Sequence, residues 1–285
     1  MSVDTFLLTS VPMRRTGWPG CSTISFRHLP LTAALDVIAE CGFGEIDLGA
    51  LPGVCDHVPY DLTDEAVREV AARVRASGLT VRSVNGDVGD LNRPVDDAGQ
   101  RERDTHLRRL LDLTEACGAP ALVLPCGALS HEPLASLDAD LDLVARQLGR
   151  ASAAAAGRGL AIWVEAPHLY RLCWNTELAA ALVARLDPAV GLVLDTSHLV
   201  ASGGDPAAFA RRFAERITHV HLRDATPGHI NHSIGNGVVD FAATFEALRA
   251  TGYRGHSSLE LETRDVTDEE RPAAAIRAAE FIAGL

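Results

Sequence analysis

The chain has 285 residues, 47% of them apolar and 22% charged, a globular composition that excludes a disordered or fibrous protein. Its formal net charge of −12 speaks against a binder of phosphate backbones, and no apolar run approaches the ~20 residues of a membrane span. All 26 basic side chains are arginine, which excludes lysine Schiff bases, pyridoxal phosphate chemistry and a Walker A loop.

From the N-terminus, the segment MSVDTFLLTSVPMRRTGWPG has no basic run ahead of its short apolar stretch and makes a poor signal peptide. Residues 1–20 read as an N-terminal extension. STISF (22–26) reads as the first strand, followed by a helix in LTAALDVIAECG. GEIDLG is the second strand, with a helix in DLTDEAVREVAARVRASG. VRSVNGD is the third; GDLNRPVDDAGQ then reads as a loop and RERDTHLRRLLDLTEACG as a helix. ALVLPCG is the fourth strand, and its helix runs roughly over 133–157. LAIWVEAPH and NTELAAALVARL form the fifth pair, VGLVLDTSH and PAAFARRFAER the sixth. ITHVHLRD is the seventh strand, and ATPGHINHSIGNG a long loop before the helix VDFAATFEALRATG. SSLELE is the eighth strand, and a last helix closes the chain.

Eight strands alternating with helices imply a parallel sheet, and this length suits an α/β fold of the (β/α)8 barrel type in one domain over 1–285. An open Rossmann-like sheet would want GxGxxG after the first strand, and none is there. The six cysteines form no CxxC pair, which fits reduced thiols in a cytoplasmic protein.

In such a barrel the chemistry sits at the C-terminal strand ends. The fifth strand ends in Glu165, the sixth in Asp195, the seventh in His221 and the eighth in Glu260, at intervals of 30, 26 and 39 residues. Each interval is one βα unit, so all four surround one mouth. A buried carboxylate such as Asp195 needs an arginine, a proton or a metal beside it. Three carboxylates and one imidazole suit one divalent ion, Mn²⁺ foremost, with Mg²⁺, Co²⁺ or Zn²⁺ also compatible. His198, three residues beyond Asp195, is placed to meet a substrate oxygen or the ion. His168, which closes the WVEAPH motif, is grouped with it as a substrate contact.

Blander readings apply elsewhere. His219 reads as a satisfied interior histidine, and Glu262 as a neighbour of the site or an exposed residue rather than a ligand. His57 and Asp87 are evenly balanced. His229 and His232 read as surface residues unless their loop folds over the mouth. Arg223 reads equally as an anchor for a substrate oxygen or phosphate and as a salt bridge to Asp224 or Asp195. The loops 87–101 and 225–237 are candidate lids.

WVEAPH, LVLDTSH, ITHVHLRDA and GYRGHSSLELE, together with GFGEIDLG and HLRRLLDLTEACGAPALVL, resemble the sugar phosphate isomerase/epimerase superfamily, the xylose isomerase-like barrels. The resemblance covers most of the chain. It implies that Glu165, Asp195, His221 and Glu260 hold the metal, that Glu165 and Glu260 are the acid/base pair, and that His198 touches substrate. The implied activity is isomerisation or epimerisation of a keto-sugar or related polyol through a metal-stabilised enediolate. The implied partners are a small carbohydrate and further copies of the chain, with no nucleic acid and no membrane. Ketose epimerases carry an arginine six residues after the metal-binding histidine, where this chain has Pro227. The form HLRD looks instead like the inosose isomerases and dehydratases, so a lyase at the same site, dehydrating an inosose or eliminating from a 3-keto-glycoside, is the alternative. The related apurinic endonucleases need further histidines on early strands and a D-x-H after the seventh. VNGD, LPCG and GHINHSIGNG supply neither. A non-catalytic barrel would be expected to have lost at least one of the four strand-end groups.

Overall fold

A computed structural model describes residues 15–285. The expected extension over 1–20 lies largely outside the described residues. Eight parallel strands form one nearly closed barrel: β1 (Gly20–Cys21), β2 (Glu45–Ala50), β3 (Thr80–Gly86), β4 (Ala121–Pro125), β5 (Ala161–Glu165), β6 (Gly191–Asp195), β7 (Ile217–Leu222) and β10 (His256–Leu259). The hydrogen-bonded order is β1-β10-β7-β6-β5-β4-β3-β2. The seam falls between β1 and β2. There Gly20 allows close approach, since a Cβ on it would stand 3.3 Å from the Glu45 carbonyl oxygen. Across the same seam the Gly49 amide donates to Thr23 Oγ1 at 3.0 Å.

The first strand is displaced from its expected place. STISF is not extended: Thr23–Phe26 form a 3₁₀ turn capped by Ser22, and only Gly20–Cys21 pair with β10. The apolar residues of this stretch are buried all the same, so hydrophobicity alone did not distinguish a tight turn from a strand. The expected loop 225–237 also contains a hairpin, β8 (Asp224–Thr226) against β9 (His229–His232).

The outer helices are α1 (Leu31–Glu40), α2 (Asp64–Ser77), α3 (Asp97–Ala116), α4 (Leu137–Ala156), α5 (Thr176–Val183), α6 (Thr196–Ala201), α7 (Pro206–Arg212), α8 (Phe241–Ala250) and α9 (Arg271–Ala283). Several starts are set by side-chain caps. Thr63, Asp96, Ser136, Asn175, Asp205 and Asp240 each accept an amide of the first turn, one of the donors a helix leaves unpaired. The Asp96 cap brings the first turn of α3 into the stretch expected as loop. The apolar faces of the helices cover the barrel in one continuous core that includes Phe26, Leu35, Phe43, Leu110, Leu148, Leu182 and Phe209.

Register brings the chemistry to one level. Asp195 lies beside His221, and His221 beside Ser258, two residues before Glu260. Glu165 is level with Val193, one alternation before Asp195. Side chains two apart on a strand share a face, so Trp163 and Glu165, Val193 and Asp195, and His219 and His221 form successive pairs. No helix among the described residues is long and apolar enough to cross a membrane.

Candidate metal and substrate site

Glu165, Asp195, His221 and Glu260 converge as expected. One ligand atom from each lies within 4.8 Å of the others, and all four residues are buried. His221 Nδ1 stands 3.1 Å from Glu165 Oε1 and 3.4 Å from Glu260 Oε2. Two ligands that each sit roughly 2.1 Å from one ion are themselves about 3–4 Å apart, so this spacing fits a single small cation. Three carboxylates in so dry a place also need more positive charge than one imidazole brings.

The chain compensates part of that charge itself. β6 runs directly into α6, so Asp195 is at once the strand end and the helix cap. Its Oδ1 accepts the amides of Ser197 at 2.7 Å and His198 at 3.0 Å, and the Ser197 hydroxyl at 2.6 Å. Its Oδ2 faces Arg223 Nη2 at 3.4 Å. Arg223 is 1% exposed. It also donates from Nε to Ser197 Oγ at 2.9 Å and from Nη1 to Glu262 Oε2 at 2.5 Å. Of the two salt bridges weighed for Arg223, the one to Asp195 forms. Asp224 is occupied elsewhere, accepting the amides of Gly235, Gly237 and Val239 and so shaping the segment that follows the hairpin.

Burial pushes the Glu165 carboxyl upward, and the nearby Glu260 adds to this against the pull of His221. Burial acts on Glu260 in the same sense, but His221 and Arg223 outweigh it and the net shift is downward. For His221, burial is overcome by the two glutamates, which hold the imidazole well above its ordinary range. Neighbouring carboxylates in unlike surroundings are pushed apart in this way in many acid/base pairs.

His168 and His198 form the adjoining wall, with ring centroids 3.9 Å apart. Burial, with Arg223 and other cations nearby, holds both well below the usual histidine range, so both are neutral near pH 7. His198 Nδ1 accepts the Leu169 amide at 3.1 Å, which leaves the proton on Nε2. That Nε2 faces Arg223 Nη2 at 3.3 Å. Two donors pointing at one another have no acceptor between them, and a ligand oxygen would satisfy both.

The cavity over this cluster has a volume of about 290 Å³ and is lined by Glu165, His168, His198, Arg223, Glu260 and others. Ile230 and Asn231 of β9 line it too, so the hairpin does fold over the mouth. His229 stays exposed and His232 is turned to Thr226. Asp87 lines the cavity and holds Arg171 at 2.8 Å, whereas His57 is tied to the Leu29 carbonyl and Cys55 and lies away from it. Glu262 is no ligand of the cluster but a bridge between Arg27 at 2.8 Å and Arg223.

Sequence reasoning missed Asp47, in the middle of the second strand. It is 1% exposed, accepts from Ser83 Oγ at 2.8 Å and meets His219 Nε2 at 2.8 Å. His219 is thus satisfied on one nitrogen only, and its buried Nδ1 has no partner. Asp47 Oδ2 also lies 3.6 Å from His221 Nε2, a buried nitrogen with no hydrogen-bond partner. With His221 Nδ1 turned to the glutamates, Asp47 is the carboxylate facing the other side of the ring, at ion-pair range rather than in a hydrogen bond. A carboxylate behind a ligating histidine fixes its tautomer and strengthens it as a ligand. Asp47→Asn is therefore expected to weaken divalent-ion binding by about 10–100-fold with the fold retained, as read by chelator competition and circular dichroism. Unchanged affinity would sink this role. The only available signal was that an aspartate interrupts the apolar run EIDLGA.

Residues 35–285 match the xylose isomerase-like TIM barrel family. The chain belongs to this family. Among curated relatives, the inosose dehydratase of Geobacillus thermodenitrificans is 34% identical over 140 residues, 42% of this chain and 47% of that protein. The chain thus spans less than half the length of that relative. Among solved structures, the zinc-bound IOLI protein superposes with a TM-score of 0.77 at 19% identity, covering 94% of this chain and 98% of the other. The D-allulose 3-epimerase of Methylomonas sp. gives 0.76 at 22% identity over 96% and 99% of the respective chains. These structural likenesses establish the barrel.

Proposed function

We propose that this barrel is a divalent-metal-dependent isomerase or epimerase of a keto-sugar or related polyol. The observation that carries the reading is the convergence of Glu165, Asp195, His221 and Glu260 beneath a small cavity into which His168, His198 and Arg223 also project. These four side chains would hold the ion, for which Mn²⁺ is the first candidate among Mn²⁺, Mg²⁺, Co²⁺ and Zn²⁺. When bound, the ion supplies Lewis-acid polarisation of a carbonyl and its neighbouring hydroxyl, which acidifies the C–H bond between them.

The rest follows from the chain's own groups. His168, His198 and Arg223 orient substrate oxygens, the last two through the donors that now face each other without an acceptor. One of Glu165 and Glu260 removes the C–H proton, giving an enediolate, and the other returns a proton. Return to the opposite face of the same carbon is epimerisation; return to the neighbouring carbon, with a hydroxyl proton passing from one substrate oxygen to the other, is isomerisation. The hairpin β8–β9 and the burial of the cluster limit access of water to the enediolate.

The similarity to an inosose dehydratase favours one second reading, elimination of a β-hydroxyl from the same enediolate. Pro227 at the place of the ketose epimerases' arginine points the same way. Both readings share the first proton transfer.

The primary test is elemental analysis after reloading with Mn²⁺, Co²⁺ and Zn²⁺ and desalting. About one ion per chain is expected, lost in Asp195→Ala. A metal-free product after reloading would overturn the reading. Incubating the loaded protein with keto-sugars and inososes in D₂O then separates the outcomes: deuterium at the exchanged carbon reports the shared first step, a changed configuration or carbonyl position marks an epimerase or isomerase, and loss of water marks a dehydratase.

A further inference from the structure

On the β10 side the cavity is lined by Arg27, Arg223 and Arg264 and by the carboxylates Glu260 and Glu262. Glu260 belongs to the cluster proposed to take a cation, which leaves Glu262 as the carboxylate available to the three guanidinium groups. Glu262 is already shared, with Oε1 on Arg27 at 2.8 Å and Oε2 on Arg223 at 2.5 Å. Arg223 also faces Asp195 at 3.4 Å and Glu260 at 3.7 Å, but both belong to the cluster proposed to take a cation. Arg264 has no side-chain acceptor among the described residues; its backbone amide alone is engaged, donating to the Asn231 carbonyl at 3.1 Å. Arg171, across the cavity, spends one nitrogen on Asp87 and one on the Gly127 carbonyl, while its buried Nε has no acceptor. The two histidines on the wall are neutral donors or acceptors and add no negative charge. This arrangement sits in a chain of net charge −12, where an unpaired guanidinium would ordinarily find a carboxylate nearby.

We infer that the substrate carries an anionic group, a carboxylate or a phosphate, bound at the rim by Arg264 with Arg27. The inference rests on the metal-dependent reading above and narrows its substrate class to sugar or polyol acids and phosphates. Planar guanidinium groups pair with both kinds of anion through two parallel hydrogen bonds, and such charged contacts are the stronger ones. The small cavity admits one such group at the rim while hydroxyl or carbonyl oxygens reach the cluster below it.

The test uses the full chain loaded with Mn²⁺, its metal content measured on the same sample. Sorbitol, gluconate and sorbitol 6-phosphate are titrated calorimetrically into wild type, Arg264→Gln and the Arg27→Gln/Arg264→Gln double variant. The expected result is that gluconate or sorbitol 6-phosphate binds at least tenfold more tightly than sorbitol, and that the variants lose this preference at unchanged metal content. Which of the two acids shows the preference identifies the anion. Equal affinity for all three probes, or no binding of either acid, would overturn the inference and leave a metal-loaded site standing. An acid preference that survives in the double variant would also overturn it, because the anion would then be held by the ion rather than by the rim. Failure to load metal at all would refute the underlying reading instead.

Discussion

Glu165→Gln and Glu260→Gln are each expected to lower proton exchange at the substrate carbon by about 10²–10⁴-fold, the range lost with a general acid or base. Glutamine preserves the size of the side chain and its hydrogen-bonding reach but cannot accept the proton. Both residues lie within 3.1–3.4 Å of His221 Nδ1, so each substitution also touches the proposed metal cluster. The readout is therefore twofold: deuterium incorporation from D₂O under single-turnover conditions, and bound metal per chain. A variant that keeps its ion and loses exchange supports the acid/base role. A variant that keeps both its ion and a near-wild-type rate removes that glutamate from the mechanism. Asn85, whose Nδ2 lies 3.4 Å from Glu260 Oε1, would help hold the carboxylate in place in either case.

The second large effect concerns stability. Arg223→Met is expected to destabilise the metal-free protein by about 3–5 kcal/mol, the usual result of removing one partner of a buried ion pair. Arg223 is 1% exposed, and its loss leaves Asp195 and Glu260 facing mainly His221 in a dry environment. Adding a divalent ion should recover part of the loss, because the cation replaces the missing positive charge beside Asp195. Arg264→Gln, at an exposed position, is the control and should shift stability by no more than about 0.5 kcal/mol. Urea unfolding with and without Mn²⁺ gives both numbers. If metal-free Arg223→Met unfolds at the wild-type midpoint, the guanidinium does not offset the buried carboxylates as described.

The two predictions meet at one physical point. A barrel mouth holding three buried carboxylates is unstable without cations, and this chain supplies two kinds of compensation. Arg223, Ser197 and the first amides of α6 hold Asp195 permanently. His221, and in the proposed reading an ion, meets the glutamates. An arginine here keeps its charge at any accessible pH, so the site remains assembled before metal arrives.

Much of this was legible along the chain. Alternating apolar strands and amphipathic helices specify a parallel barrel, because each strand must be covered on both faces. A charged group at the end of each of four successive strands implies a shared mouth, because the fold puts all strand ends on one side. That is why Glu165, Asp195, His221 and Glu260 could be grouped from spacing alone. What spacing could not convey was anything that depends on strands far apart in sequence. Asp47 meets His219 and His221 only because β2 and β7 face one another across the barrel. Glu262 joins Arg27 and Arg223 only because the first turn after β1 and the ends of β7 and β10 come together at the closing side of the barrel. STISF became a 3₁₀ turn, although its residues are as buried as a strand's, because Ser22 offered a cap and the pairing with β10 was already met by Gly20–Cys21. Local pattern determined which residues are buried and at which end the chemistry lies. Only the closed tertiary structure decided which charges meet, since those pairings join residues that periodicity along the chain never relates.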